Sequence, residues 1–111
     1  MKTFQDFTFE SRADIKNTKH ALEDLGNGLI ISVVQGPNHY SESDTYEVGV
    51  LFGNDMVPLQ PFDEVLGWQT EQQITELMQQ VQTDKNFVKS RVDAKHDAMK
   101  QLSQECKNNK I

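Results

Sequence analysis

The stretch that decides the fold is TYEVGVLFGND, residues 45–55. Up to Phe52 every second residue is apolar, and Gly53, Asn54 and Asp55 follow, which predicts a β-strand that ends in a tight turn. The residues on its apolar face are Tyr46, Val48, Val50 and Phe52. A second run, LIISVVQ at residues 29–35, is rich in β-branched residues and stops at Gly36 and Pro37. We expect these two strands to be antiparallel neighbours. Residues 56–60 follow the turn, and Pro58 permits only an edge strand or an extended segment there.

A helix is predicted over residues 69–81, QTEQQITELMQQV. Thr70 as N-cap and Gln73 three residues later form a capping box. The apolar residues that follow lie at helical spacing and indicate a face that covers the sheet. They are Ile74, Leu77, Met78 and Val81.

Residues 11–25, SRADIKNTKHALEDL, also predict a helix. Ser11 with Asp14 imitates a capping box, and Gly26 or Gly28 would end the helix. Its apolar face would hold Ile15, Thr18, Leu22 and Leu25.

A charged helix is predicted from about Lys85 to Glu105, after a break at residues 83–84. Its apolar positions follow a 4-3-4 rhythm that Lys95 interrupts. The pattern is typical of a short coiled-coil seam in a homodimer, and equally of an amphipathic helix that docks on its own domain. The residues that would make the homodimer contact are Val88, Val92, Met99 and Leu102.

The 111 residues therefore predict one α+β protein. We expect a small antiparallel sheet of two to three strands, packed by an N-terminal helix and two C-terminal helices. Residues 1–84 would form an acidic α+β domain, and residues 85–111 a charged helix, docked or dimerising, with a short frayed tail.

The charge distribution is one-sided. Residues 20–84 contain eleven Asp or Glu and no Lys or Arg, while the whole chain has a net charge of −6. Phosphate backbones require clustered Lys and Arg, so direct nucleic-acid binding is disfavoured. An acidic surface instead complements a basic protein, including one that itself holds nucleic acid. The alternative is that the acids form only a solvated face.

The residues predicted to bind such a partner are acids of loops and of a helix start, together with two aromatic residues. They are Tyr40, Glu42, Asp44, Asp55, Asp63, Glu64, Trp68 and Glu71, with Glu76 as a further acid of the helix. Four of the acids, Glu42, Asp44, Asp63 and Glu64, are expected to cluster at one end of the sheet. For Trp68 the sequence favours a staple that packs back onto the following helix.

Catalytic motifs are absent from the sequence, and His20, His39 and His96 lack the paired spacing of a metal site. The lone Cys106 is interpreted as a small apolar residue on a helix face. We predict no metal, no cofactor and no enzymatic activity; an acidic, metal-assisted enzyme is the less favoured alternative. The longest apolar runs are too short to cross a bilayer, and the first residues lack the apolar core of a signal peptide, so we expect a cytoplasmic protein without membrane contact.

Three segments together resemble small, mostly uncharacterised accessory proteins of tailed bacteriophages. They are LGNGLIISVVQG at 25–36, TYEVGVLF at 45–52 and FDEVLGWQTEQQITEL at 62–77, so the resemblance covers about residues 25–81. It implies no catalytic residue. It implies a phage-encoded protein of the host cytoplasm that binds and redirects a host protein, which an acidic chain would do by occupying a nucleic-acid-binding surface.

The function predicted from the sequence is therefore that of a non-enzymatic acidic interaction protein, which binds and modulates a basic or nucleic-acid-binding host protein. The alternative is a homo-oligomeric structural or accessory module without an inhibitory role.

Overall fold

The structure is a computed structural model that describes residues 1–11, 17–37, 41 and 44–108, with the side chains of the last helix described as far as Leu102. In this part of the chain, six strands form one antiparallel sheet and two α-helices follow it. The strands are β1 (Glu10–Ser11), β2 (Lys19–Gly26), β3 (Leu29–Gln35), β4 (Tyr46–Phe52), β5 (Asp55–Val57) and β6 (Val65–Gln69). The helices are α1 (Glu71–Thr83) and α2 (Phe87–Asn108), and a 3₁₀ turn spans Phe4–Asp6.

The strand β4 organises the sheet. On one edge it pairs with β3 in an antiparallel register from Leu29↔Phe52 to Val34↔Glu47, so the predicted pairing of these two strands is confirmed. Its other edge is shared, since β5 pairs with residues 50–52 and β6 with residues 46–49. On the far side of β3 the sheet continues through β2 to the short β1.

The predicted sheet of two to three strands is wrong, and so is the predicted N-terminal helix. Residues 19–26 form β2, which pairs along β3. Asn27 and Gly28 connect the two strands with positive φ angles of 55° and 79°, as the central residues of a type I′ hairpin turn require. The predicted helix end at Gly26 or Gly28 is therefore wrong, and Asn-Gly between two apolar runs is instead a strong hairpin signal.

The two faces of β2 explain why the spacing of its apolar residues predicted a helix. Leu22 and Leu25 lie three apart, as on one side of a helix, but in the strand they point to opposite faces. Leu25 is buried and Leu22 is 57% exposed. Residues 12–16 lie outside the described residues. They include Asp14 of the predicted capping box and Ile15 of the predicted apolar face.

The core lies between one face of the sheet and α1. The predicted capping box at the start of α1 is confirmed, since Thr70 Oγ1 accepts from the Gln73 backbone N–H at 3.2 Å and Gln73 Oε1 accepts from the Thr70 N–H at 2.9 Å. All four apolar residues predicted on this helix are buried. The largest fully buried side chains are Ile31, Val33, Val48, Val50, Ile74, Met78 and Phe87.

An aromatic cluster closes the core at the start of β4. The Tyr46 ring lies 5.2 Å from the Phe4 ring and 5.5 Å from the Phe9 ring, centroid to centroid. The N-terminal segment is also tied to α1, because the Gln82 amide accepts from the Lys2 N–H and donates to the Lys2 carbonyl. The ring contacts with Phe4 and Phe9 fix the position of Tyr46, which lies next to the candidate surface described below.

The first turns of α2 dock on the same core. Phe87 is 1% exposed, Val88 packs against the core, and Arg91 Nη1 donates to the Leu59 carbonyl at 3.2 Å. The helix has 22 residues, about 33 Å of length, in a molecule whose longest dimension is 53 Å. Its later residues Met99 and Leu102 are 52% and 51% exposed.

Two glycines provide a stability test of the packing. A Cβ added at Gly36 would lie 2.5 Å from Thr18 Oγ1 and 3.0 Å from Thr18 Cβ, and this buried, β-branched side chain has little freedom to move. We expect Gly36→Ala to lower the free energy of unfolding by about 1–3 kcal/mol in a urea titration. At Gly49 the added Cβ would lie 2.7 Å from the terminal methyl of Met56, which is flexible, so Gly49→Ala is the control that loses less. Equal losses, or a larger loss at Gly49, would contradict this packing.

Candidate interaction surface

The structure brings three of the predicted partner-binding residues to one end of the sheet. Asp44 lies in the turn that leads into β4, Trp68 lies on β6, and Glu71 is the first residue of α1. The register Tyr46↔Gln69 joins the beginning of β4 to the end of β6, so the residues that flank these positions are neighbours. We call Asp44, Trp68 and Glu71 the bulge surface, after the irregularity in β6 described next.

Trp68 sits in a β-bulge. Tyr46 pairs with Gln69 and Val48 pairs with Leu66, so a single β4 residue, Glu47, stands opposite two residues of β6. The extra residue of β6 is accommodated at Trp68, whose φ of +51° lies in the left-handed region. That conformation costs a residue with a Cβ roughly 1–2 kcal/mol. Backbone strain of this kind persists only where the surrounding structure maintains it. It is found most often at binding and active sites.

Trp68 is 55% exposed. The staple expected from the sequence would bury it on α1, and the position directly before the N-cap is occupied by Gln69 instead. The bulge presents a large aromatic surface at the molecular exterior, a residue type enriched where proteins bind one another.

Tyr46 reports the negative potential of this surface. Burial raises the pKa of the Tyr46 phenol above its usual value of 10, and the carboxylates of Glu71 and Asp44 raise it further. Both carboxylates therefore act on the same hydroxyl, which independently places them at the same end of β4. Both side chains are exposed.

The remaining predicted acids do not join this surface. Asp55 lies opposite Phe52, at the other end of β4. Asp63 and Glu64 precede β6, so the length of that strand, about 16 Å, separates them from Asp44. Tyr40 and Glu42 lie outside the described residues, and Glu76 on α1 accepts a hydrogen bond from Gln72. The expected cluster of Asp44 with Asp63 and Glu64 is not formed.

Several acids of the stretch 20–84 hold the fold together, which the charge count did not reveal. Glu23 forms an ion pair with Lys2. Three aspartates accept hydrogen bonds from a backbone N–H two residues later and so stabilise turns. These are Asp24 with Gly26, Asp63 with Val65, and Asp84 with Asn86.

Sequence reasoning also missed the side chains that protect β6 from strand pairing. Gln60 Nε2 donates to the Val65 carbonyl at 2.9 Å, and Gln69 Nε2 donates to the Gly67 carbonyl at 3.1 Å. Exposed edge strands invite pairing with another chain, and these amides occupy two carbonyl acceptors of β6. Only the strand's register, which the sequence did not predict, could have indicated this role.

A groove of about 500 Å³ lies between α2 and the turn at residues 60–64. Lys95 and Met99 line it from the helix, and Phe62, Asp63 and Glu64 from the turn. Phe62 is 68% exposed and was not among the predicted site residues. Of the predicted dimer contacts, Val88 and Val92 are partly buried, whereas Met99 and Leu102 remain half-exposed.

Within the described ranges, no three His, Cys, Asp or Glu side chains are grouped as a metal site would require. Among the described helices, none combines the length and the apolar character needed to cross a bilayer. The chain matched no protein-family model, and comparisons with curated proteins and with solved structures gave no match.

The Tyr46 hydroxyl makes a pH prediction. The folded-state pKa is raised, so the stabilisation is fully present below the unfolded pKa of about 10 and is lost as the pH rises through the folded pKa. We expect Tyr46→Phe to show a shallower fall in the free energy of unfolding above pH 10 than the wild type, measured by chemical denaturation. A Tyr46→Phe slope identical to the wild type would contradict the environment described for this phenol.

Proposed function

We propose that the protein is a non-enzymatic acidic interaction protein that binds a basic partner protein through the bulge surface. The observation that carries the proposal is Trp68, which is exposed on a bulge with a left-handed backbone, at the same end of the sheet as Asp44 and Glu71. Exposed aromatic residues that the surrounding structure holds in a costly backbone conformation are frequent at binding sites.

The chemistry of the bulge surface suits Lys and especially Arg of a partner. A guanidinium group stacks on an indole face and also pairs with a carboxylate through two parallel hydrogen bonds. Trp68 supplies the aromatic face, and Asp44 and Glu71 supply the carboxylates. Because the bulge fixes the backbone of Trp68, less conformational entropy is lost when a partner binds.

The surrounding charge supports the same partner. No Lys or Arg occurs from residue 20 to residue 84, and two of the lysines that precede that stretch have contacts of their own. Lys2 pairs with Glu23, and Lys19 lies 4.9 Å from the centre of the Phe9 ring. The negative potential would accelerate encounter with a basic protein and would repel phosphate backbones. With the resemblance to phage accessory proteins, we propose a nucleic-acid-binding host protein as the target, in the cytoplasm of the host.

Variants of the bulge surface test the proposal in quantitative pull-downs from host lysate at low salt. Asp44→Asn with Glu71→Gln removes two exposed charges that are worth about 0.2–1 kcal/mol each, so the captured protein should bind about 2- to 30-fold more weakly. Trp68→Asn keeps a residue that tolerates a positive φ, and we expect a loss of about 30-fold or more with little change in the unfolding midpoint.

The matched control is Asp93→Asn with Asp97→Asn, which removes two exposed acids from α2. Binding of the control should equal that of the wild type, and capture by the wild type should fall as salt rises from about 50 to 500 mM. Equal losses in the control and the bulge variants, or no loss in either, would contradict the proposal.

A further inference from the structure

The groove beside α2 carries charges of both signs, unlike the acidic stretch at residues 20–84. On its turn side it carries Asp63 and Glu64, and on its helix side Lys95. The helix between residues 85 and 102 has five Lys or Arg against two Asp, so it is basic where the turn is acidic. Acidic and basic side chains therefore face the same groove.

The same region holds exposed apolar side chains. Phe62 is 68% exposed on the turn, and Met99 and Leu102 are 52% and 51% exposed on the helix. Phe87 and Val88 dock the first turn of α2 on the core. Met99 and Leu102 continue the same apolar stripe, in later turns of the helix. We call Phe62, Glu64, Lys95, Met99 and Leu102 the groove patch. Four of these residues line the groove, and Leu102 lies about one turn further along α2.

We propose that the groove patch binds a second copy of this chain, with the later turns of α2 from each copy lying against the turn of the other. A purely basic partner would be repelled by the helix, and a purely acidic one by the turn. A second copy brings a basic helix to each acidic turn, and two-fold symmetry makes both contacts twice.

The apolar groups fit the same arrangement. In a two-fold dimer Phe62 of each copy covers Met99 and Leu102 of the other, and the flexible Met99 side chain adapts to the ring. The contact involves one turn and about two turns of helix per copy. A contact of this extent belongs with the smaller specific interfaces, so dimerisation should depend on concentration in the accessible range.

Sedimentation equilibrium of the full chain tests the proposal. With rising concentration the wild-type mass should approach twice the chain mass of 12.7 kDa. Met99→Gln with Leu102→Gln should remain monomeric, and Glu64→Lys should raise the dimer dissociation constant about 2- to 30-fold. These side chains are exposed, so the unfolding midpoints should stay near that of the wild type.

Leu22→Gln is the matched control, because Leu22 is 57% exposed and lies on β2, away from the groove patch. It should dimerise as the wild type does, and so should Asp44→Asn with Glu71→Gln, which separates this proposal from the one on the bulge surface. A wild type that stays at 12.7 kDa up to about 0.5 mM, well above the micromolar constants of weak complexes, would overturn it. A dimer that survives the Met99 and Leu102 changes, or is lost equally in Leu22→Gln, would also overturn it.

Discussion

The shared edge of β4 is the constraint on which the rest of the structure depends. One edge of this strand pairs with β3, and the other must accommodate both β5 and β6. The chain leaves β5, turns through the bridge between Gln60 and Asp63, and returns along the first half of β4. The bulge in β6 lets Gln69 reach Tyr46, and Thr70 then starts α1 over the core. The strain at Trp68 and the position of Glu71 both follow from that route.

The sequence predicted the elements whose signals are local and mutually consistent. The strands β3 and β4 were expected from alternating or β-branched residues, and the start of α1 from Thr70 and Gln73. It failed where tertiary pairing decides between patterns. The spacing of Leu22 and Leu25 suits a helix as well as a strand, and the pairing with β3 selects the strand. The strand β6 is short and contains Gly67, so only its pairing with β4 defines it.

The candidate site was predictable to a similar degree. Charge counting identified the acidic half of the chain, and Trp68 was named as a surface candidate. Counting could not separate carboxylates that hold turns, such as Asp24 and Asp84, from exposed ones such as Asp44, because that depends on which backbone N–H groups lie nearby. It could not show the exposure of Phe62 either. The two proposed surfaces differ in charge: the bulge surface is acidic, and the groove patch carries charges of both signs. The side-chain amides of Gln60 and Gln69 occupy two carbonyl acceptors of β6, and both proposals rely on side chains rather than on strand addition.

The central claim is that the bulge at Trp68 is a binding surface, and the most direct measurement is a nuclear magnetic resonance titration. The chain contains one tryptophan, so a ¹⁵N-labelled sample has a single indole N–H signal. On addition of the captured basic protein, our account predicts that this signal and the amides of residues 44–47 and 67–71 shift or broaden first, and that they recover at high salt. Perturbations confined to α2, with the indole signal unchanged at saturation, would contradict it.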